Sequence, residues 1–95
     1  MDELLTPTLI RAARALLRLD QAGLAASSGI SRKTIMLVEA DERAKIDPRR
    51  KDILKKLREH LENEQGVEFT FADDRTGEGV RLKRARTKTE ESSTG

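Results

Sequence analysis

The sequence predicts a mainly α domain: a bundle of about four helices over residues 1–65, a β-hairpin over 66–84 and a disordered tail over 85–95. Three observations carry this reading. Apolar residues recur at helical spacing in two long segments, Leu9 to Leu17 and Ile53 to Leu61. Between them lie two shorter helical stretches separated by Gly29. After Gly66 the pattern changes to alternation, with Val67, Phe69 and Phe71 set against Glu68 and Thr70, and then Val80-Arg81-Leu82-Lys83.

The first helix should begin near Pro7. Thr6 is suited to be its N-cap with proline at the first helical position, and Leu5 and Ile10 are spaced as a hydrophobic staple. Leu9, Ile10, Ala13, Leu16 and Leu17 form its apolar face, while Arg11, Arg14 and Arg18 recur elsewhere on the cylinder.

The segment from Gln21 to Glu39 reads as a DNA-binding helix-turn-helix. Asp20 can cap a short helix whose Leu24 faces inward, Ala25 allows a second helix to cross closely, and Gly29 supplies a turn residue with positive φ. Ile30, Ile35 and Val38 bury the next helix, for which Ser31 is the N-cap. Arg32, Lys33, Thr34, Met36 and Leu37 then fall on its first two turns, where a recognition helix meets bases and phosphates. Arg or Lys to guanine O6 and N7 is the commonest specific major-groove pairing, so Arg32 or Lys33 is expected to read a G; the competing role is phosphate neutralisation. Met36 and Leu37 suit contact with a thymine methyl, or else cover a subunit or core contact.

Residues 9–39 resemble the XRE, or lambda Cro/CI-type, family of small bacterial repressors. The resemblance rests on Ile10-Arg11-Ala12-Ala13-Arg14-Ala15-Leu16-Leu17, on Gln21 opening the second helix, and on Ser31-Arg32 with Thr34-Ile35 opening the third. Gly66-Val67-Glu68-Phe69 and Gly79-Val80-Arg81-Leu82 resemble a compact subgroup and extend the likeness to about residue 84. Four positions depart from the family pattern: Arg18 stands where Gly is usual, Gly23 lies inside a helix at a cost of about 1 kcal/mol against Ala, and Ala40-Asp41 replace Arg-Gly. The resemblance implies a Cro/CI-type helix-turn-helix bundle, an Arg14–Glu39 pair tying the first helix to the third, and phosphate contacts from Gln21, Ser31 and Thr34. It also implies a transcriptional regulator, chiefly a repressor that controls its own synthesis, carried on a mobile genetic element.

A polar connection, 40–46, leads to Asp47-Pro48, an N-cap followed by proline, and to a long helix ending near Asn63. Ile53, Leu54, Leu57 and Leu61 form its stripe, whereas Lys55, Lys56, Arg58, Glu59 and Glu62 read as a solvated face. Arg49, Arg50 and Lys51 occupy the positive end of the helix dipole, where cations are disfavoured by about 0.3–1 kcal/mol each. That placement suggests a phosphate clamp completed by Arg43 and Lys45, with a solvated basic turn as the alternative.

The hairpin's apolar face, Val67, Phe69, Phe71, Val80 and Leu82, includes both of the chain's aromatics and must be buried, because a lone two-stranded hairpin is marginal in water. It packs either on its own long helix or with the same hairpin of a second subunit, in a shared antiparallel sheet. The second arrangement is favoured: it makes a homodimer whose recognition helices, about 34 Å apart, meet successive major grooves of an inverted repeat.

Composition sets the outer bounds. Ninety-five residues make one small domain, and the absence of Cys excludes disulfides and thiolate metal sites. Net charge is only +2, so the distribution of cations must carry any nucleic-acid reading. Neither a basic leader with a long apolar run nor a membrane-length apolar stretch occurs, which leads to the expectation of a cytoplasmic protein without membrane partners. His60 has no second His or Cys beside it and is expected at the surface or partly packed; Asp73 and Asp74 read as turn residues, not a calcium loop. No catalytic residues, metal or cofactor are expected, and an enzyme is not. The leading expectation is a sequence-specific regulator on double-stranded DNA. The alternative from another class is an antitoxin or antiactivator whose decisive protein partner binds the hairpin or tail, recognisable by a second chain copurifying through Phe69 and Phe71. RNA binding is weaker, because the aromatics belong to a buried strand face.

Overall fold

Thr6 starts the first helix in the way its position after Leu5 and before Pro7 suggests. In a computed structural model, which describes residues 3–40 and 47–84, its Oγ1 accepts the Leu9 N–H at 3.1 Å, with Pro7 at the first helical position. The described residues form α1 (Pro7–Leu17), α2 (Gln21–Ser28), α3 (Arg32–Ala40), α4 (Pro48–Asn63), β1 (Val67–Thr70) and β2 (Gly79–Leu82). The described part of the protein is therefore mainly helical, with one small antiparallel sheet. None of the described helices is long and apolar enough to cross a membrane. The connection at 41–46 and the segment 85–95, expected to be disordered, lie outside the described residues, as do Arg43 and Lys45.

Side-chain caps open the other helices too. Asp20 Oδ1 accepts from the Gly23 N–H at 2.6 Å, Ser31 Oγ from Thr34 N–H at 3.1 Å, and Asp47 Oδ1 from Arg50 N–H at 2.8 Å. Gly29 closes α2 at φ 76°, donating its N–H to the Ala25 carbonyl. At the end of α1 the same left-handed conformation falls to Arg18, at φ 58°. There the Arg18 N–H bonds the Ala15 carbonyl at 3.1 Å and the Leu19 N–H bonds that of Arg14 at 2.9 Å, a Schellman closure normally given to glycine. Gly23 has a steric reason: a Cβ there would meet Leu19 Cδ2 at 3.1 Å and the capping Asp20 oxygen at 3.2 Å.

One core joins all four helices to the hairpin. Leu9, Ile10 and Ala13 of α1, Leu24 of α2, Ile35 and Val38 of α3, and Leu54, Leu57 and Leu61 of α4 are buried together with Leu5, Val67 and Phe69. Leu16 and Ile30 are only half-buried. In the sheet, Val67 lies opposite Leu82, Glu68 opposite Arg81, Phe69 opposite Val80 and Thr70 opposite Gly79. Glu68 and Arg81 pair on the outer face.

The hairpin packs its apolar side chains on its own chain. Val67 is fully buried and Phe69 is 9% exposed, while Phe71, Val80 and Leu82 are half-buried against the same core. Polar stitches fix it there: the Thr6 hydroxyl donates to the Glu78 carboxylate at 2.9 Å, Lys83 Nζ donates to the Glu62 carbonyl at 2.7 Å, and the Arg58 guanidinium lies 4.6 Å from the centre of the Phe71 ring. Of the two partners weighed for this face, the chain's own helices hold Val67 and Phe69. A second copy would meet strand edges and the half-buried residues.

Candidate nucleic-acid interface

The core side of α3 determines what its other side presents. Ile35, Val38 and Glu39 are buried and Thr34 half-buried, so at about 100° per residue Arg32, Lys33, Met36, Leu37 and Ala40 share the outward face, and all five are exposed. Neither the Arg32 nor the Lys33 side chain has a hydrogen-bond or ion-pair partner among the described residues. Met36 and Leu37, 45% and 58% exposed, are the exposed large apolar side chains among the described residues.

The hydroxyls at the start of α3 are already organised. Ser31 accepts the Thr34 N–H and gives its own proton to Thr34 Oγ1 at 2.8 Å. A hydroxyl has one proton, so Ser31's is spent internally, while that of Thr34 remains for an outside acceptor. The N–H groups of Arg32 and Lys33 precede the first intrahelical bond of α3, made by Ile35 to the Ser31 carbonyl at 3.0 Å, and point out of its N-terminus.

A buried ion pair fixes the orientation of α3 against α1. Arg14 donates from Nε to Glu39 Oε2 at 2.8 Å and from Nη2 to Oε1 at 2.7 Å, with Glu39 5% exposed. Hydrogen bonding to Glu39, reinforced by its charge and opposed by burial, raises the Arg14 pKa above its ordinary value. Gln21, expected at a phosphate, directs one N–H of its side-chain amide to Glu39 Oε1 at 3.3 Å, which leaves the second amide N–H beside the backbone N–H groups at the start of α2 as outward donors. Arg14, Asp20, Gln21, Ala22 and Arg32 line an open depression of about 540 Å³ beside that helix start.

Two further arginines secure the far end of α3. Arg11 Nη1 donates to the Glu39 carbonyl at 2.6 Å and Arg50 Nη2 to the Leu37 carbonyl at 3.1 Å, so cations from α1 and α4 meet the negative end of the α3 dipole. Sequence reasoning missed both contacts; the absence of any basic residue in the last turn of α3 was the available signal. The expected clamp at α4 is correspondingly smaller. Pro48 has no N–H, Asp47 holds that of Arg50, and Lys51 N–H bonds the Asp47 carbonyl at 2.9 Å, so Arg49 alone keeps an open N–H in that turn. Exposed Arg49 borders a groove of about 390 Å³ between α3 and α4, with Thr34, Leu37 and Asp47 among its walls.

Of the two placements expected of His60, surface or partly packed, the structure goes past the second and buries the ring. It is 7% exposed, with Nδ1 2.9 Å from Glu64 Oε2 and Nε2 3.1 Å from Ser27 Oγ and 3.2 Å from Gln65 Nε2. It fastens the end of α2 to the end of α4. Asp73 is a turn residue: its carboxylate accepts the N–H groups of Thr76 at 2.7 Å and Arg75 at 2.8 Å, which hold its pKa below the ordinary value.

No protein-family model, curated protein or solved structure matches this chain.

Proposed function

We propose that this protein is a sequence-specific DNA-binding transcriptional regulator of the Cro/CI type, in which α2 and α3 form the helix-turn-helix and α3 enters the major groove. The observation that carries the reading is the outward face of α3, where two unpartnered cations head a helix held in place by a buried ion pair. At least one of Arg32 and Lys33 contacts a base edge. Thr34, the backbone at the starts of α2 and α3, and Arg49 position the duplex through phosphates. Ser31 acts through Thr34, to which it gives its proton.

The active form is a homodimer on an inverted repeat. The alternation of the ladder supports the route. Lys83 N–H bonds the Gly66 carbonyl at 2.8 Å, so in this register Val67 and Phe69 on β1, and Val80 and Leu82 on β2, turn their backbone groups away from the other strand. Neither outer edge has a backbone partner among the described residues. An edge of the hairpin pairs with that of a second copy, while Val67 and Phe69 remain in their own core. Bound at a promoter, the dimer represses by occluding polymerase.

Selection of bound sequences from a random duplex pool at roughly physiological salt tests this, run beside an Arg32→Ala/Lys33→Ala double variant. An enriched inverted repeat that the variant no longer prefers is expected. Binding without enrichment, falling only with salt, would reduce the interface to a nonspecific anchor.

A further inference from the structure

Met36 and Leu37 are large apolar side chains that the fold does not use. Ile35 and Val38 fill the core side of α3, whereas Met36 and Leu37 stand 45% and 58% exposed on the opposite side. Each follows a free cation by one helical turn: Arg32 precedes Met36 and Lys33 precedes Leu37 by four residues. The ridge is therefore bordered by Arg32 and Lys33 at one end and by Arg49 across the neighbouring groove. An apolar ridge among cations matches a polyanionic surface that offers isolated apolar groups. The major groove of DNA offers one such group, the C5-methyl of thymine.

We propose that Met36 and Leu37 determine specificity by packing on thymine methyl groups, about two base-pair steps from the base pair read by Arg32 or Lys33. This rests on the DNA reading above and adds to it the identity of a neighbouring base. Four residues of helix advance about 6 Å, which is close to two base-pair steps of about 3.4 Å. Each half-site therefore pairs a guanine with a thymine about two steps away.

The test uses the duplex enriched from the random pool and copies in which each thymine in turn is replaced by deoxyuridine, which keeps every hydrogen-bonding group and loses only the methyl. At least one replacement per half-site should weaken binding about fourfold, the equivalent of one apolar carbon returned to water. Met36→Ala or Leu37→Ala should bind the thymine and uracil forms equally at that position. Both side chains are exposed, so the variants should keep the parent's melting temperature, which is measured alongside. Uracil copies that bind as tightly as the parent overturn the proposal, and so does an undiminished uracil penalty in both variants. Undiminished site preference in the Met36→Ala/Leu37→Ala double variant also overturns it and assigns the ridge to a protein contact. A pool with no enriched sequence defeats the DNA reading itself, whereas an enriched site indifferent to uracil defeats this proposal alone.

Discussion

Removing the Glu39 carboxylate should cost more stability than any surface change in the chain. Glu39 is 5% exposed and takes two charge-assisted hydrogen bonds from Arg14, at 2.7 and 2.8 Å. Breaking a buried pair by deleting one partner costs about 3–5 kcal/mol, because the remaining charge stays desolvated. The Arg14 side chain keeps 19% exposure and a 3.2 Å bond from Nη1 to the Leu19 carbonyl, so the loss for Glu39→Ala belongs at the lower end, about 3 kcal/mol. A domain of this size is stable by about 5–15 kcal/mol, and about 4–8 °C of melting temperature accompanies each kcal/mol. The variant should therefore melt about 12–24 °C below the parent. Replacing both partners, in Arg14→Met/Glu39→Leu, removes both buried charges and should destabilise less than the sum of the two single changes. Urea unfolding followed by circular dichroism, with thermal melts beside it, measures the parent, Glu39→Ala, Arg14→Met, Glu39→Leu and the double variant. A Glu39→Ala loss below about 1 kcal/mol, or strict additivity in the cycle, would show that the pair is not what holds α3 against α1.

The left-handed positions make opposite predictions. Arg18→Gly should stabilise the domain by about 0.5–1 kcal/mol, the relief of a side chain at φ 58° less the added freedom of the unfolded chain, and raise the melting temperature. Gly29→Ala, at φ 76°, should lower stability by about 1 kcal/mol in the same melts. The depressed Asp73 pKa means that its turn contributes stability above the ordinary carboxylate pKa and loses it as pH falls through the lower folded value. Thermal melts from neutral pH to below about pH 4 should therefore decline less steeply in Asp73→Asn than in the parent.

Local chemistry was legible in the sequence wherever one residue type solves one local problem. Thr6, Asp20, Ser31 and Asp47 each cap the helix that follows them, Gly29 turns the chain, and alternation after Gly66 marks the strands. The outward residues of α3 followed from the same periodicity. What escaped depends on elements distant along the chain. Arg50 looked like one of the cations of a phosphate clamp because it lies in the first turn of α4, yet its guanidinium reaches the Leu37 carbonyl of α3. His60 was expected at the surface or partly packed, and its burial comes from Ser27 on another helix together with the end of α4, partners that its own neighbours in sequence do not reveal. Val67 and Phe69 carried no sign of whether their cover is the same chain or another, since burial of an apolar strand face is equally favourable in either case.

The central claim is that the outward face of α3 meets DNA, and amide chemical-shift mapping with the enriched duplex tests it most directly. Resonances of residues 31–37, the start of α2 and Arg49 should move most at roughly physiological salt, with those of the α2–α4 junction at His60 unmoved. Shifts centred on the hairpin, with α3 unchanged, would contradict the account.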